Sequence, residues 1–288
     1  MANASASRPL RWPVIIAAVV LVAAVAAIVA YLRITAHATN KPVKLSSLYW
    51  VYYREDLLRL QPLDPAIVGQ TLSGPGTYAL EHNNTGPPLP AGVIPVALYF
   101  SYADEQAALK NKQVPAGATA LADDPEDWPA TPLNEQQNPL PSLKSFGLAS
   151  KAAGYATVLI PGRDLMSVSG AVCNQQKGET ISQAYVRCGL PSAAANASVY
   201  VIQSAALETD IPAMTQLVQQ AAAAARAANP SVKVIATIST APNGSPVGAT
   251  TVNQAARAVL PYVQGFEVNT TAPTDSRFIA FLHDLAGS

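Results

Sequence analysis

Apolar residues run without interruption from Val14 to Leu32, 19 positions with no Asp, Glu, Lys or Arg among them. At about 1.5 Å per helical residue this run spans about 28 Å, close to the hydrocarbon thickness of a bilayer. The pattern predicts a transmembrane anchor over 14–32. Residues 1–13 then form a cytoplasmic N-terminus, 33–45 a linker, and 46–288 an extracytoplasmic domain. The flanking charges, Arg8 and Arg11 before the run and Arg33, Lys41 and Lys44 after it, set no strong bias. Orientation rests on size, since nearly all of the chain follows the run. A cleaved signal peptide is the rival reading, with Ala36-His37-Ala38 in the small-x-small form of a cleavage site.

Beyond the anchor the pattern changes to short apolar runs separated by helical periodicity. Strand-length runs occupy 76–81, 93–102, 118–122, 155–160, 198–203, 233–238 and 263–268. Several are apolar at nearly every position, as in Thr157-Val158-Leu159-Ile160, which is how strands buried on both faces read. Leu48 to Tyr53 is aromatic and β-branched; it reads either as an eighth strand or as a segment at a membrane interface. One helix opens at Asn138-Pro139 and stops at Gly154. Another follows the Asp210 cap and Pro212, carries Met214, Leu217 and Val218 on one face, and ends at Asn229-Pro230. Two more cover about 252–262 and 275–285. Strand–helix alternation of this kind implies parallel strands with right-handed crossovers. The fold expected is a parallel (β/α)-barrel, TIM-like, either regular or incomplete, with an open doubly wound sheet as the alternative.

Composition narrows the function classes. Eighteen basic residues balance eighteen acidic ones and no basic run exists, which argues against a nucleic-acid partner. No Gly-rich phosphate loop follows a strand and no His pair has ligand spacing, so neither a cofactor nor a metal is expected. The only two cysteines, Cys173 and Cys188, lie 15 positions apart in a polar stretch. Outside the cytoplasm such a pair reads as a disulfide.

In a barrel, chemistry gathers where strands end. Here those positions are rich in acids, although charged residues make up only 12% of the chain. The densest group is Asp123, Asp124, Glu126 and Asp127 with Trp128. Its functional reading is a sugar site, with Asp124 or Glu126 as general acid, Asp123 and Asp127 beside them, and Trp128 as a stacking face. Its bland reading is a solvated turn under a Trp lid. Glu267 and Asn269 share one face of the last strand, opposite Phe266 and Val268, and point inward if the apolar face meets the helices. Glu267 is thus a candidate second carboxylate, or else a rim residue paired with Arg257 or Arg277. Glu208 is the other candidate for that role, or a compensating charge at a helix N-terminus. Glu81 and Gln203 complete the proposed lining, and His82 follows Glu81. No Gly-x-Ser-x-Gly occurs, which leaves a serine triad without support.

The stretch Ala122-Asp123-Asp124-Pro125-Glu126-Asp127-Trp128-Pro129-Ala130-Thr131-Pro132, with Glu135-Gln136 and Asn138-Pro139 after it, resembles a family of exported actinobacterial proteins of unassigned function. So do 149–161, 201–210 and 227–240, and the likeness covers roughly 76–272. It implies a barrel distantly similar to glycoside hydrolases and carries over no catalytic residue. The acid group is also similar to the acidic strand end of chitinase-like barrels, but the Asp-x-x-Asp-x-Asp-x-Glu spacing is absent. Together these features predict an envelope-anchored barrel that hydrolyses or binds a carbohydrate or cell-wall polymer. The competing expectation is a non-catalytic surface module that binds glycan or protein.

Overall fold

The computed structural model describes residues 41–82 and 87–288. The expected anchor at 14–32 lies outside them. Among the described residues no helix is long and apolar enough to cross a membrane. Residues 42–288 form one compact unit.

Eight parallel strands close into a barrel in chain order. They are β1 (Tyr49–Tyr53), β2 (Gly76–Glu81), β3 (Val93–Tyr99), β4 (Ala120–Asp123), β5 (Ala156–Leu159), β6 (Val199–Ile202), β7 (Lys233–Ser239) and β8 (Gly265–Asn269). The aromatic segment at 48–53 is therefore a strand, and it closes the ring by pairing with both β2 and β8. Gly265 makes that closure possible. A Cβ there would lie 1.8 Å from the Tyr49 carbonyl oxygen, so only glycine lets the two backbones approach.

Alternation along the strands sorts side chains into two sets. Val51, Leu80, Val96, Leu98, Ala120, Ala122, Val158, Ile160, Val199, Val201 and Ile235 fill the interior. Trp50, Tyr52, Leu121, Leu159, Tyr200, Phe266 and Val268 face the surrounding helices. The long Ala-rich helix, Ile211–Ala228, lays Met214, Leu217, Val218, Ala221, Ala222 and Ala225 on that outer surface. Its Asp210 cap accepts from the Ala213 amide, as its sequence predicts.

Five α-helices are not legible in the periodicity. Arg54–Leu60 and Pro65–Leu72 follow β1, Tyr102–Asn111 follows β3, Leu133–Gln137 follows β4, and Ile181–Arg187 follows β5. The expected strand 93–102 is cut short at Tyr99 because Ser101 caps the next helix, accepting from the Asp104 amide, with Asp104 and Glu105 in its first turn. The helix expected to run to 262 ends at Val259, where Pro261 turns the chain into a tighter 3-10 turn. Cys173 and Cys188 form a disulfide with Cα atoms 5.7 Å apart. It ties the loop after β5 to the end of the helix Ile181–Arg187.

Candidate active site

The C-terminal rim of the barrel brings together four elements that are far apart in sequence. Tyr53 ends β1, Asp124 and Glu126 follow β4, Gln203 follows β6 and Glu267 stands on β8. Tyr53 donates its hydroxyl to Asp124 Oδ2 over 2.8 Å. One nitrogen, Gln203 Nε2, donates to Asp124 Oδ1 at 3.0 Å and to Glu126 Oε1 at 2.8 Å, and also reaches the Ile160 carbonyl. The two carboxyl oxygens it joins are thus within about 6 Å of each other. Glu267 accepts from the Thr237 hydroxyl on the neighbouring strand.

The strand pleat explains this convergence. Ala120 and Ala122 point inward on β4, so Asp124 continues the inward face, and Pro125 carries the chain to Glu126 over the mouth. Val199 and Val201 set the same face for Gln203. Phe266 and Val268 lie in the outer core, which leaves Glu267 inside. Gly162, after β5, makes room for the acids. A Cβ there would meet Asp164 Oδ1 at 2.3 Å and Glu126 Cγ at 3.0 Å.

Among the described residues no Arg or Lys makes an ion pair with these acids. Nearby Arg54 pairs with Glu81, and Arg59 pairs with Asp56 and Asp275. Burial, with the charges of Glu126 and Glu267, pushes the Asp124 carboxyl well above the usual range, against the hydrogen bonds from Tyr53 and Gln203. Burial raises Glu267 to about 7, with Thr237 opposing and the Glu126 charge adding. Glu126 is also raised by burial, is lowered in part by Gln203, and is raised again by Asp164. Crowded carboxyls in a poorly solvated site hold protons that isolated acids would lose, and they titrate as a group.

Aromatic rings extend along the rim. Trp128 meets Phe100 edge-on at 4.7 Å between centroids, and His82 stacks on Phe100 at 4.9 Å. The Trp128 indole N–H is held by the Thr131 hydroxyl, which also donates to the Phe100 carbonyl. Trp128 is half-buried, so part of its ring surface stays open.

The other sequence candidates fall elsewhere. Asp123 is one residue out of phase with Asp124 and so turns to the helical layer, fully buried near Glu135 and Glu105. Glu81 likewise faces outward, where Arg54 neutralises it. Glu208 is buried and drawn to the Ser239 amide at 2.7 Å, apart from the three mouth acids. Asp127 is exposed on the loop, and Asn269 is exposed at the end of β8. Glu267 accepts from Thr237. Tyr53 was missed. Its signal, the inward parity of Tyr49, Val51 and Tyr53, was readable only once β1 was known to be a strand. Among the described residues no group of three His, Cys, Asp or Glu side chains is arranged to hold a metal ion.

No protein-family model matches the chain, and no curated protein matches it. Similarity is found among solved structures. A candidate α-L-fucosidase from Bacteroides thetaiotaomicron VPI-5482 superposes with a TM-score of 0.54 at 7% identity, over 86% of this chain and 95% of its own. A GH128 (subgroup III) curdlan-specific exo-β-1,3-glucanase from Blastomyces gilchristii, in complex with glucose, gives a TM-score of 0.44 at 12% identity, over 79% and 91%. The tryptophan synthase A-subunit from Pyrococcus furiosus gives 0.43 at 11%, over 86% and 100%. At these identities the likeness to the first establishes the barrel fold and nothing finer.

Proposed function

We propose that this protein is a glycoside hydrolase-like barrel acting on a carbohydrate or cell-wall polymer at its C-terminal mouth. The observation that carries the reading is the gathering of Glu126 and Glu267 with Asp124 at one mouth, Asp124 and Glu126 joined through Gln203, where among the described residues no Arg or Lys pairs with any of the three. Glycoside cleavage needs one carboxyl that keeps its proton and one that stays ionised near an oxocarbenium-like centre. Environment divides those roles here. Glu267 is 3% exposed and, with its pKa raised to about 7, serves as the proton donor to the leaving oxygen. Glu126 is more open, and Gln203 favours its ionised form; it is the carboxylate that faces the anomeric carbon, as nucleophile or base. Asp124 is 1% exposed and acts through its neighbours, fixing Tyr53 and Gln203. Trp128 offers a face for a sugar ring. The barrel fold shared with a candidate α-L-fucosidase is compatible with this chemistry.

A Schiff-base mechanism of the aldolase type has no support, because no inward strand position near the mouth carries a lysine. Binding without turnover is the second reading, favoured by the half-open aromatic rim. Aryl glycosides and insoluble β-glucan, chitin and peptidoglycan distinguish the two. Hydrolysis abolished by both Glu126→Gln and Glu267→Gln supports the enzyme. Saturable polymer binding without product, weakened only modestly by the same variants, supports the binder. Neither turnover nor binding on any polymer overturns both.

We further propose that residues 14–32 anchor the barrel to the membrane with the barrel outside the cytoplasm. The charge-free apolar run and the disulfide support this. Retention of the full chain in the membrane pellet after alkaline carbonate is the expected result. Release, with a mature N-terminus just after Ala38, overturns it.

A further inference from the structure

The opposite end of the barrel holds a cavity that the proposed chemistry does not use. It lies among the strand starts, has a volume of about 460 Å³, and is walled by Tyr49, Tyr78 and Tyr155. Two lysines line it, Lys151 at the end of the helix Pro139–Ala152 and Lys233 at the start of β7, and no carboxylate does. Lys233 stands over the Tyr49 ring, 5.8 Å from its centroid. Among the described residues neither lysine makes a salt bridge. This contrasts with Arg54, Arg59 and Arg187, each paired with an acid. Thr157, Asn196, Ser198, Asn229 and Ser231 complete its polar lining.

We propose that this cavity is a binding site for a phosphate-bearing small molecule or headgroup. Two like charges lining one concavity repel each other, and an anion between them turns that repulsion into attraction. A dianionic oxyanion matches two ammonium groups in charge, and its oxygens accept from ammonium and phenol donors together. The volume falls in the range of about 300–1,000 Å³ typical of small-molecule sites, larger than phosphate alone requires. The tyrosine rings then flank the organic part. The site is independent of the mouth, because it sits at the other end of the strands.

Calorimetric titration of the full chain in neutral detergent, with inorganic phosphate and with glycerol phosphate at constant ionic strength, tests this. Saturable binding is expected, at least tenfold weaker in the Lys151→Met/Lys233→Met double variant and unchanged in Glu126→Gln. Phosphate acting no differently from chloride overturns the proposal, as does a folded double variant that binds as tightly as the parent. Lys151→Met alone serves if the double variant does not fold, because Lys151 is exposed on a helix end; a several-fold weakening is then expected, and unchanged affinity overturns the site. Lipid bicelles separate the sources. Competition by phosphatidylglycerol but not phosphatidylcholine assigns the phosphate to a lipid headgroup, and phosphate binding untouched by either assigns it to a soluble ligand.

Discussion

At the scale of single residues, the site depends on one amide. Among the described residues Gln203 alone donates to both Asp124 and Glu126, and none of their cations pairs with either acid. Gln203→Leu should leave both acceptors short of a donor, lower thermal stability by about 1–3 kcal/mol, and reduce any mouth-dependent hydrolysis at least tenfold. A melting curve and a rate measurement check both effects. The proton donor makes a separate prediction. Because Glu267 holds its proton up to about 7, hydrolysis should fall as pH rises through that value. In Glu267→Gln that alkaline limb should vanish from whatever rate remains; a limb that persists in the variant removes Glu267 from the role. The same residues show how far sequence reaches at this scale. Asp124, Glu126, Gln203 and Glu267 could be singled out from strand-end position and alternation. Glu208 and Asp123 had equally good local patterns, and a backbone amide and a one-residue phase difference sent them elsewhere.

At the scale of elements, the outer face of β4 and the helices Tyr102–Asn111 and Pro139–Ala152 enclose a second group of acids. Asp123 has both carboxyl oxygens buried without a hydrogen bond, as are Glu105 Oε2 and the Tyr99 hydroxyl. Glu105 accepts from Ser150, and burial raises it to about 7; burial also raises Asp123 well above its usual range. A carboxyl whose pKa is higher folded than unfolded binds protons more tightly in the folded state. Its favourable contribution is fully present below the unfolded pKa and is lost as pH rises through the folded one. Glu105, Glu267 and Asp56, the last raised by burial to about 6, all act in this sense. The melting temperature should therefore be higher at pH 5 than at pH 8, and Asp123→Asn should raise it at pH 8. A profile that is flat or rises with pH contradicts both. Tyr99→Phe should cost little, since its hydroxyl has no partner to lose.

At the scale of the whole molecule, closure of the ring and the disulfide are the two features most exposed to single changes. Gly265→Ala drives a Cβ into the Tyr49 backbone and should prevent β1 from pairing with β8. Loss of soluble, cooperatively melting protein is the expected outcome. Cys173→Ser with Cys188→Ser removes a short closed loop and should cost about 2–4 kcal/mol in a denaturant titration, without altering the barrel's circular dichroism.

The sequence by itself determined an alternation of parallel strands and helices that favoured a barrel over an open sheet, seven of the strands, four of the helices, the cysteine pair and the acids at the strand ends. These follow from local rules: apolar runs at strand length, 3.6-residue periodicity, caps and prolines, and two-residue alternation. Tertiary structure alone decided that β1 is the eighth strand, that Tyr53 hydrogen-bonds Asp124, that Asp123 and Glu81 face the outer layer, and that Glu208 accepts from the Ser239 amide. The reason is physical. Which carboxyls meet depends on the shear of the closed ring and on whichever donor lies nearest across it. Those partners are 71 and 79 positions away for Asp124, beyond the reach of any local pattern.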